Sequence, residues 1–142
     1  MPHPILILGG YGNFGKRIAQ RLVNDGLDVI IAGRNSSKAQ ALCTELSDTT
    51  KSLAFDVETG LDYALTQLRP KVVINTCGPF QSADYKIAET CIQHGVHYID
   101  LADGRDFVTG ITSLDAQAKA QNVTVISGAS TVPGLSSAVL TH

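Results

Sequence analysis

The segment Ile5-Leu6-Ile7-Leu8-Gly9-Gly10-Tyr11-Gly12-Asn13-Phe14-Gly15-Lys16-Arg17-Ile18 constrains the fold more than any other part of this chain. Four apolar residues read as a short buried strand, the glycines as a turn, and Asn13 onward as the first turns of a helix. Gly10, Gly12 and Gly15 match the G-x-G-x-x-G spacing with which a strand–turn–helix unit accepts a dinucleotide. Each glycine has its own task. Gly10 is expected to take the tight turn with unusual dihedrals, and Gly12 to leave no side chain between backbone and pyrophosphate. Gly15 is expected to let the helix sit close to the strand. The amides around Tyr11, Asn13 and Phe14 would then face the phosphates, with the positive end of the helix behind them. Glycine turns also end strands without binding anything. Here an apolar strand precedes the motif and an amphipathic segment comes after it, which is the context nucleotide binding requires.

The rest of the chain alternates between two periodicities. Strands are expected at Pro4–Leu8, Leu27–Ala32, Lys51–Phe55, Lys71–Thr76, His97–Leu101 and Val123–Ser127. Helices are expected at Phe14–Asp25, Ser37–Leu46, Gly60–Leu68, Ala83–His94 and Thr112–Gln121. Ile18, Leu22 and Val23 form an apolar stripe beside Gln20, Arg21 and Asn24, and Gly26 and Gly95 stand where left-handed caps would end helices. Near-continuous apolar strands alternating with helices imply a parallel sheet covered on both faces. The expected fold is therefore α/β: a Rossmann-type, doubly wound, mostly parallel six-stranded sheet of order 3-2-1-4-5-6. Residues 1–133 would form this dinucleotide-binding domain. Residues 134–142, from Gly134 to His142, look like a helix leading to a second domain absent from this chain.

Composition excludes several classes. A chain of 142 residues with net charge -2 and 44% hydrophobic residues suits one globular domain, and suggests neither a nucleic-acid nor a membrane partner. The first apolar run is too short for a signal peptide or a span. Cys43, Cys77 and Cys91 lack C-x-x-C spacing, so reduced thiols in a cytoplasmic protein are expected rather than a disulfide or zinc framework. His94 and His97, with Asp100 and Asp103 beyond them, invite a metal assignment. However, one histidine ends a helix and the other starts a strand, so they need not converge, and no metal is expected.

The second strand runs into Gly33-Arg34, with Lys38 nearby. NAD-selective folds place Asp or Glu there to bind the ribose 2′-hydroxyl. The acid that would repel a 2′-phosphate is missing, and a cation that would pair with it is present, which favours NADP(H), with NAD possible. Asp56 either meets the adenine edge or caps the next turn, and the residues leave both open. The fourth strand delivers Cys77-Gly78-Pro79 to the crevice beside strand one, where Gly78 and Pro79 would shape a loop near the pyrophosphate and nicotinamide ribose. Cys77 has no identifiable histidine partner and reads as loop packing rather than a nucleophile.

Four segments together resemble the NADP-binding domain of the saccharopine dehydrogenase family. They are Ile7 to Gly15, Val73-Ile74-Asn75-Thr76-Cys77-Gly78-Pro79-Phe80, Gly95-Val96-His97-Tyr98-Ile99-Asp100-Leu101, and Ser127 to Gly134. The resemblance implies a two-domain reductase whose Rossmann domain precedes a substrate and dimerisation domain, hence a small-molecule substrate and a homodimer formed through the missing domain. Two departures point away from saccharopine itself as substrate. Val132 stands where saccharopine-handling members have Asp, and Asp103-Gly104-Arg105 stands where many relatives have Gly-Glu.

The expected function is NADP(H) binding for hydride transfer in a saccharopine dehydrogenase-like oxidoreductase. The catalytic residues stay unassigned. Asp100, Asp103, Arg105 and Ser130 fall at strand ends within reach of a nicotinamide, but none carries an acid–base signature, and capping or loop roles suit them better. A non-catalytic dinucleotide-sensing module is the alternative. An S-adenosyl donor is disfavoured by the full glycine motif and Arg34.

Overall fold

The computed structural model describes residues 3–80, 84–130 and 139–140. Strands β1 (Ile5–Leu8), β2 (Val29–Gly33), β3 (Lys51–Ala54), β4 (Val72–Asn75), β5 (His97–Asp100) and β6 (Val125–Ile126) form one sheet of order β3-β2-β1-β4-β5-β6. Every pairing is parallel, with Leu8 opposite both Ala32 and Asn75. The expected strand order is the observed one.

Strand periodicity builds two apolar layers, because alternate residues face opposite sides of the sheet. Leu6, Leu8, Ile30 and Ala32 join a cluster with Leu61 and Leu65 of α3 (Val57–Leu68) and with Ala88, Cys91 and Ile92 of α4 (Lys86–Gln93). Ile7, Val29 and Ile31 point the other way. They meet Ala19 of α1 (Asn13–Asn24) and Ala39, Leu42 and Cys43 of α2 (Ser36–Leu46). The stripe of Ile18, Leu22 and Val23 packs against this second cluster. Gly26 and Gly95 lie just past α1 and α4 with φ of 80° and 68°, the left-handed geometry that ends a helix.

Two expectations need correction. The helix expected at Thr112–Gln121 is three pieces: α5 (Arg105–Gly110), a 3-10 turn over Ile111–Leu114, and α6 (Asp115–Ala120). Gly110 closes the first piece, and a Cβ there would collide with the Tyr85 hydroxyl, so the chain stays bare at this junction. The helix expected from Gly60 starts instead at Val57, because the Asp56 side chain accepts from the Glu58 amide at 2.8 Å and caps it. The expected start of α4 at Ala83, the Thr131–Gly134 part of the fourth resembling segment, and most of the expected terminal helix lie outside the described residues. Among the described residues, no helix is long and apolar enough to cross a membrane.

Candidate nucleotide crevice

The sheet order reverses between β1 and β4, so the connections leaving their paired carboxyl ends turn to opposite faces, with α1 on one and α4 on the other, and leave a crevice outside those ends, the usual ligand position in such sheets. A crevice of about 490 Å³ lies there, within the range of small-molecule sites. Its walls bring together Gly9, Tyr11 and Gly12 from the glycine turn, Gly33 and Arg34 from the end of β2, Phe55, Asp56 and Glu58 after β3, and Thr76, Cys77 and Gly78 after β4.

The turn is built one residue earlier than the sequence suggests. Gly9, not Gly10, has the positive φ, at 72°. A Cβ on Gly9 would also stand 2.8 Å from the Thr76 Oγ1 and 3.1 Å from the Cys77 Sγ. Gly10 is instead packed under the turn, where a Cβ would press on the Ile31 side chain at 3.0 Å. Gly15 is required by close packing. A Cβ there would stand 2.8 Å from the Gly10 Cα, so α1 can approach β1 only as glycine allows.

Gly12 is different. Its φ of -71° and ψ of 175° suit any residue, and a Cβ would meet only the Gly9 carbonyl oxygen, at 3.2 Å. It is the N-cap of α1, and α1 has neither a capping side chain nor an acidic residue in its first turn. The other helices opening at the crevice are capped from within. The Asn35 side chain accepts from the Lys38 amide at 2.9 Å, and Asp56 caps α3. The first amides of α1, with the positive end of a 12-residue helix behind them, thus have no side-chain cap.

Arg34 is exposed at the crevice wall. Asp56 serves as a cap and also lines the crevice, so its two readings are compatible. Asn13, Phe14, Lys38 and Pro79 do not line it. Phe14 is 61% exposed on the first turn of α1, Lys38 is exposed on the first turn of α2, and Pro79 is joined to Gly78 through a cis peptide bond. Sequence reading missed Gly9, Phe55, Glu58 and Thr76. The Thr76 hydroxyl, on the signal-bearing Asn75–Phe80 segment, donates to the carbonyl oxygens of Leu8 at 2.7 Å and Gly9 at 3.1 Å.

Cys77 is exposed as a residue, but its sulfur is recessed beside the glycine turn. Burial of the sulfur pushes the thiol pKa up, and the Arg34 charge opposes this only in part. A thiol held protonated is a poor nucleophile, in keeping with a packing role. Cys91, deep in the core, is pushed up to about 12 by burial.

Asp100 does not reach the crevice. It is fully buried, and its carboxylate accepts from the Tyr98 hydroxyl (2.9 Å), the Ser127 hydroxyl (2.8 Å) and the amides of Ala102 and Gly128 (3.0 Å each). The Asn75 amide donates to the Tyr98 hydroxyl at 3.2 Å, and the Asn75 Oδ1 accepts from the Cys77 amide at 3.0 Å. This network ties the ends of β4, β5 and β6 together and fixes the path of the Cys77 loop. Arg105 opens α5 and is also outside the crevice walls.

His94 and His97 stand at the opposite end of the sheet from Asp100. Both line a groove of about 440 Å³ with His3, Arg69 and Lys71. Each is engaged: His94 with Asp62 at 2.8 Å, and His97 through its Nδ1 with the Thr124 amide at 2.9 Å. Arg69 and His94 are the C-caps of α3 and α4, and the Arg69 charge offsets the negative end of α3. Among the described residues, no group of three or more His, Cys, Asp or Glu could hold a metal ion.

Comparison with known proteins agrees with this fold. The model of the saccharopine dehydrogenase NADP binding domain matches residues 5–126. A serine 3-dehydrogenase of Rhizobium radiobacter is 40% identical over 57 residues, covering 40% of this chain and 23% of that protein. The chain thus spans less than a quarter of that relative's length. Apo saccharopine dehydrogenase (L-Glu forming) of Saccharomyces cerevisiae has the same fold, with a TM-score of 0.73 at 22% identity over 98% of this chain and 30% of that one. A short-chain dehydrogenase/reductase of Vibrio parahaemolyticus shares it too, with a TM-score of 0.71 at 15% identity over 87% of this chain and 82% of that one. The chain belongs to the family of the saccharopine dehydrogenase NADP-binding domain.

Proposed function

We propose that this chain holds NADP(H) along the crevice between β1 and β4 and serves an oxidoreductase acting on a small-molecule substrate. Hydride transfer is the chemistry that NADP(H) supplies when bound. The chain's own residues have positional tasks. Gly12 and the first amides of α1 would receive the pyrophosphate, and Arg34 the 2′-phosphate. Asp56 faces the adenine side, and the Thr76–Gly78 loop the nicotinamide ribose.

The observation that carries this reading is Gly12. Its backbone does not need glycine, a Cβ there would meet only the Gly9 carbonyl oxygen at 3.2 Å with open space beyond it, and it caps a helix that has no side-chain cap. A cradle for an anion explains all three features. Thr76, Cys77 and Gly78 offer no acid–base pair beside the expected nicotinamide, so substrate binding and proton transfer fall mainly to a second domain, where a homodimer contact would also belong. The span of 30% of the yeast saccharopine dehydrogenase supports this division. The free thiols of Cys43, Cys77 and Cys91 suit a reducing, cytoplasmic setting.

Gly12→Val tests the reading. The protein should keep its circular dichroism spectrum and lose NADPH affinity by more than about tenfold, equivalent to about 1.4 kcal/mol. Unchanged affinity in the folded variant would remove the pyrophosphate from this turn.

A further inference from the structure

We propose that Tyr11 determines the cofactor preference. Its ring fills the place where an NAD-selecting carboxylate would stand, and its hydroxyl pins the loop that carries Arg34. The inference rests on the NADP(H) reading of the crevice.

Gly33 ends β2, the position from which an acidic side chain reaches the ribose 2′-hydroxyl in NAD-binding folds. The backbone there is outside the left-handed region, so conformation does not explain the glycine. The Tyr11 ring does. A Cβ on Gly33 would stand 2.7 Å from both the Cζ and the hydroxyl oxygen of Tyr11, and closer still to Cε1. Any side chain at position 33 must therefore displace the ring.

The ring is held from two sides. It packs against the cluster of Ile7, Ile31 and Ala39, and its hydroxyl accepts from the Asn35 amide at 3.0 Å. Asn35 is bonded directly to Arg34 and is the N-cap of α2. One hydrogen bond thus connects the glycine turn to the loop that presents the guanidinium. Tyr11 and Gly33 act as a pair: the ring keeps an acid out and steadies the cation beside it. Tyr11 is a positioning residue here, acting on the 2′-substituent through position 33 and Arg34.

The test is a titration of NADPH and NADH against wild type, Tyr11→Phe, Gly33→Asp and Tyr11→Ala/Gly33→Asp, with folding monitored by circular dichroism. Tyr11→Phe keeps the ring and removes the pin. NADPH affinity should fall about three- to tenfold, the worth of one neutral hydrogen bond, while NADH affinity changes by about twofold at most. Gly33→Asp alone should gain no NADH affinity, because the displaced ring stays in the crevice. The double variant should bind NADH at least about tenfold tighter than Gly33→Asp and should prefer it to NADPH. If Gly33→Asp fails to fold and the double variant folds, the same relief of the ring is measured as stability, in support of the pairing. Two outcomes would overturn the proposal: equal loss of both cofactors in Tyr11→Phe, or a Gly33→Asp protein that prefers NADH as strongly as the double variant. Wild type with no affinity for either cofactor would instead overturn the NADP(H) reading itself, and is seen before any variant is compared.

Discussion

The Thr76 hydroxyl donates to the Leu8 carbonyl oxygen at 2.7 Å, fastening the end of β4 to the end of β1 beneath the glycine turn. The same hydroxyl oxygen lies where a Gly9 Cβ would approach to 2.8 Å, so the fastening and the turn exclude any side chain at Gly9. The floor of the crevice is thereby set by two strands that are adjacent in space and 68 residues apart in sequence.

Gly9→Ala probes that fastening. The variant must hold a φ of 72° and also push back Thr76 and Cys77. Left-handed strain and overpacking together should cost about 2–4 kcal/mol. Urea unfolding checks this, and a loss below about 0.5 kcal/mol, the usual scatter of surface changes, would show that the turn relaxes freely.

Cys77 is exposed as a residue although its sulfur is recessed, whereas Cys43 and Cys91 are buried outright. Its pKa is raised by burial of the sulfur, so the reactive thiolate is scarce below that pKa and grows as pH rises through it. Alkylation of the native protein, read by peptide mass spectrometry, should fall on Cys77, proceed more slowly at about pH 8 than with a free thiol, and quicken with pH. Saturating NADPH should slow it further by covering the crevice wall. Equal labelling with and without NADPH would place the cofactor away from the β4 loop.

The fold is largely legible in the sequence because each strand carries its signal locally. Leu6 and Leu8 face one layer and Ile7 the other, and Gly26 and Gly95 punctuate the helices where the chain must reverse. The motif spacing puts the positive φ one residue late, at Gly10. Gly9 is the left-handed one of the two adjacent glycines, and the Thr76 and Cys77 side chains that exclude a Cβ there lie far away in the chain. The need for glycine at position 110 is hidden for the same reason, since the hydroxyl that excludes a side chain there belongs to Tyr85. Arg34 and Gly12 can be read from their spacing to the motif, whereas the dependence of Gly33 on Tyr11 exists only once β2 lies beside the turn. Asp100 looks in sequence like a strand-end group within reach of substrate. Four donors converging on it from three segments make it a structural carboxylate, in line with the capping or loop role that suits its residue type better than acid–base work.

On the reading proposed above, this crevice receives NADP(H) with its 2′-phosphate on Arg34. Calorimetric titration of NADPH and NADH against wild type and Arg34→Ala tests it most directly. Wild type should bind NADPH more tightly than NADH. Arg34→Ala should weaken NADPH by about 1.5–3 kcal/mol, the worth of a charge-assisted contact, and leave NADH nearly unchanged. Equal losses for the two cofactors, or none for either, would show that Arg34 does not read the 2′-phosphate.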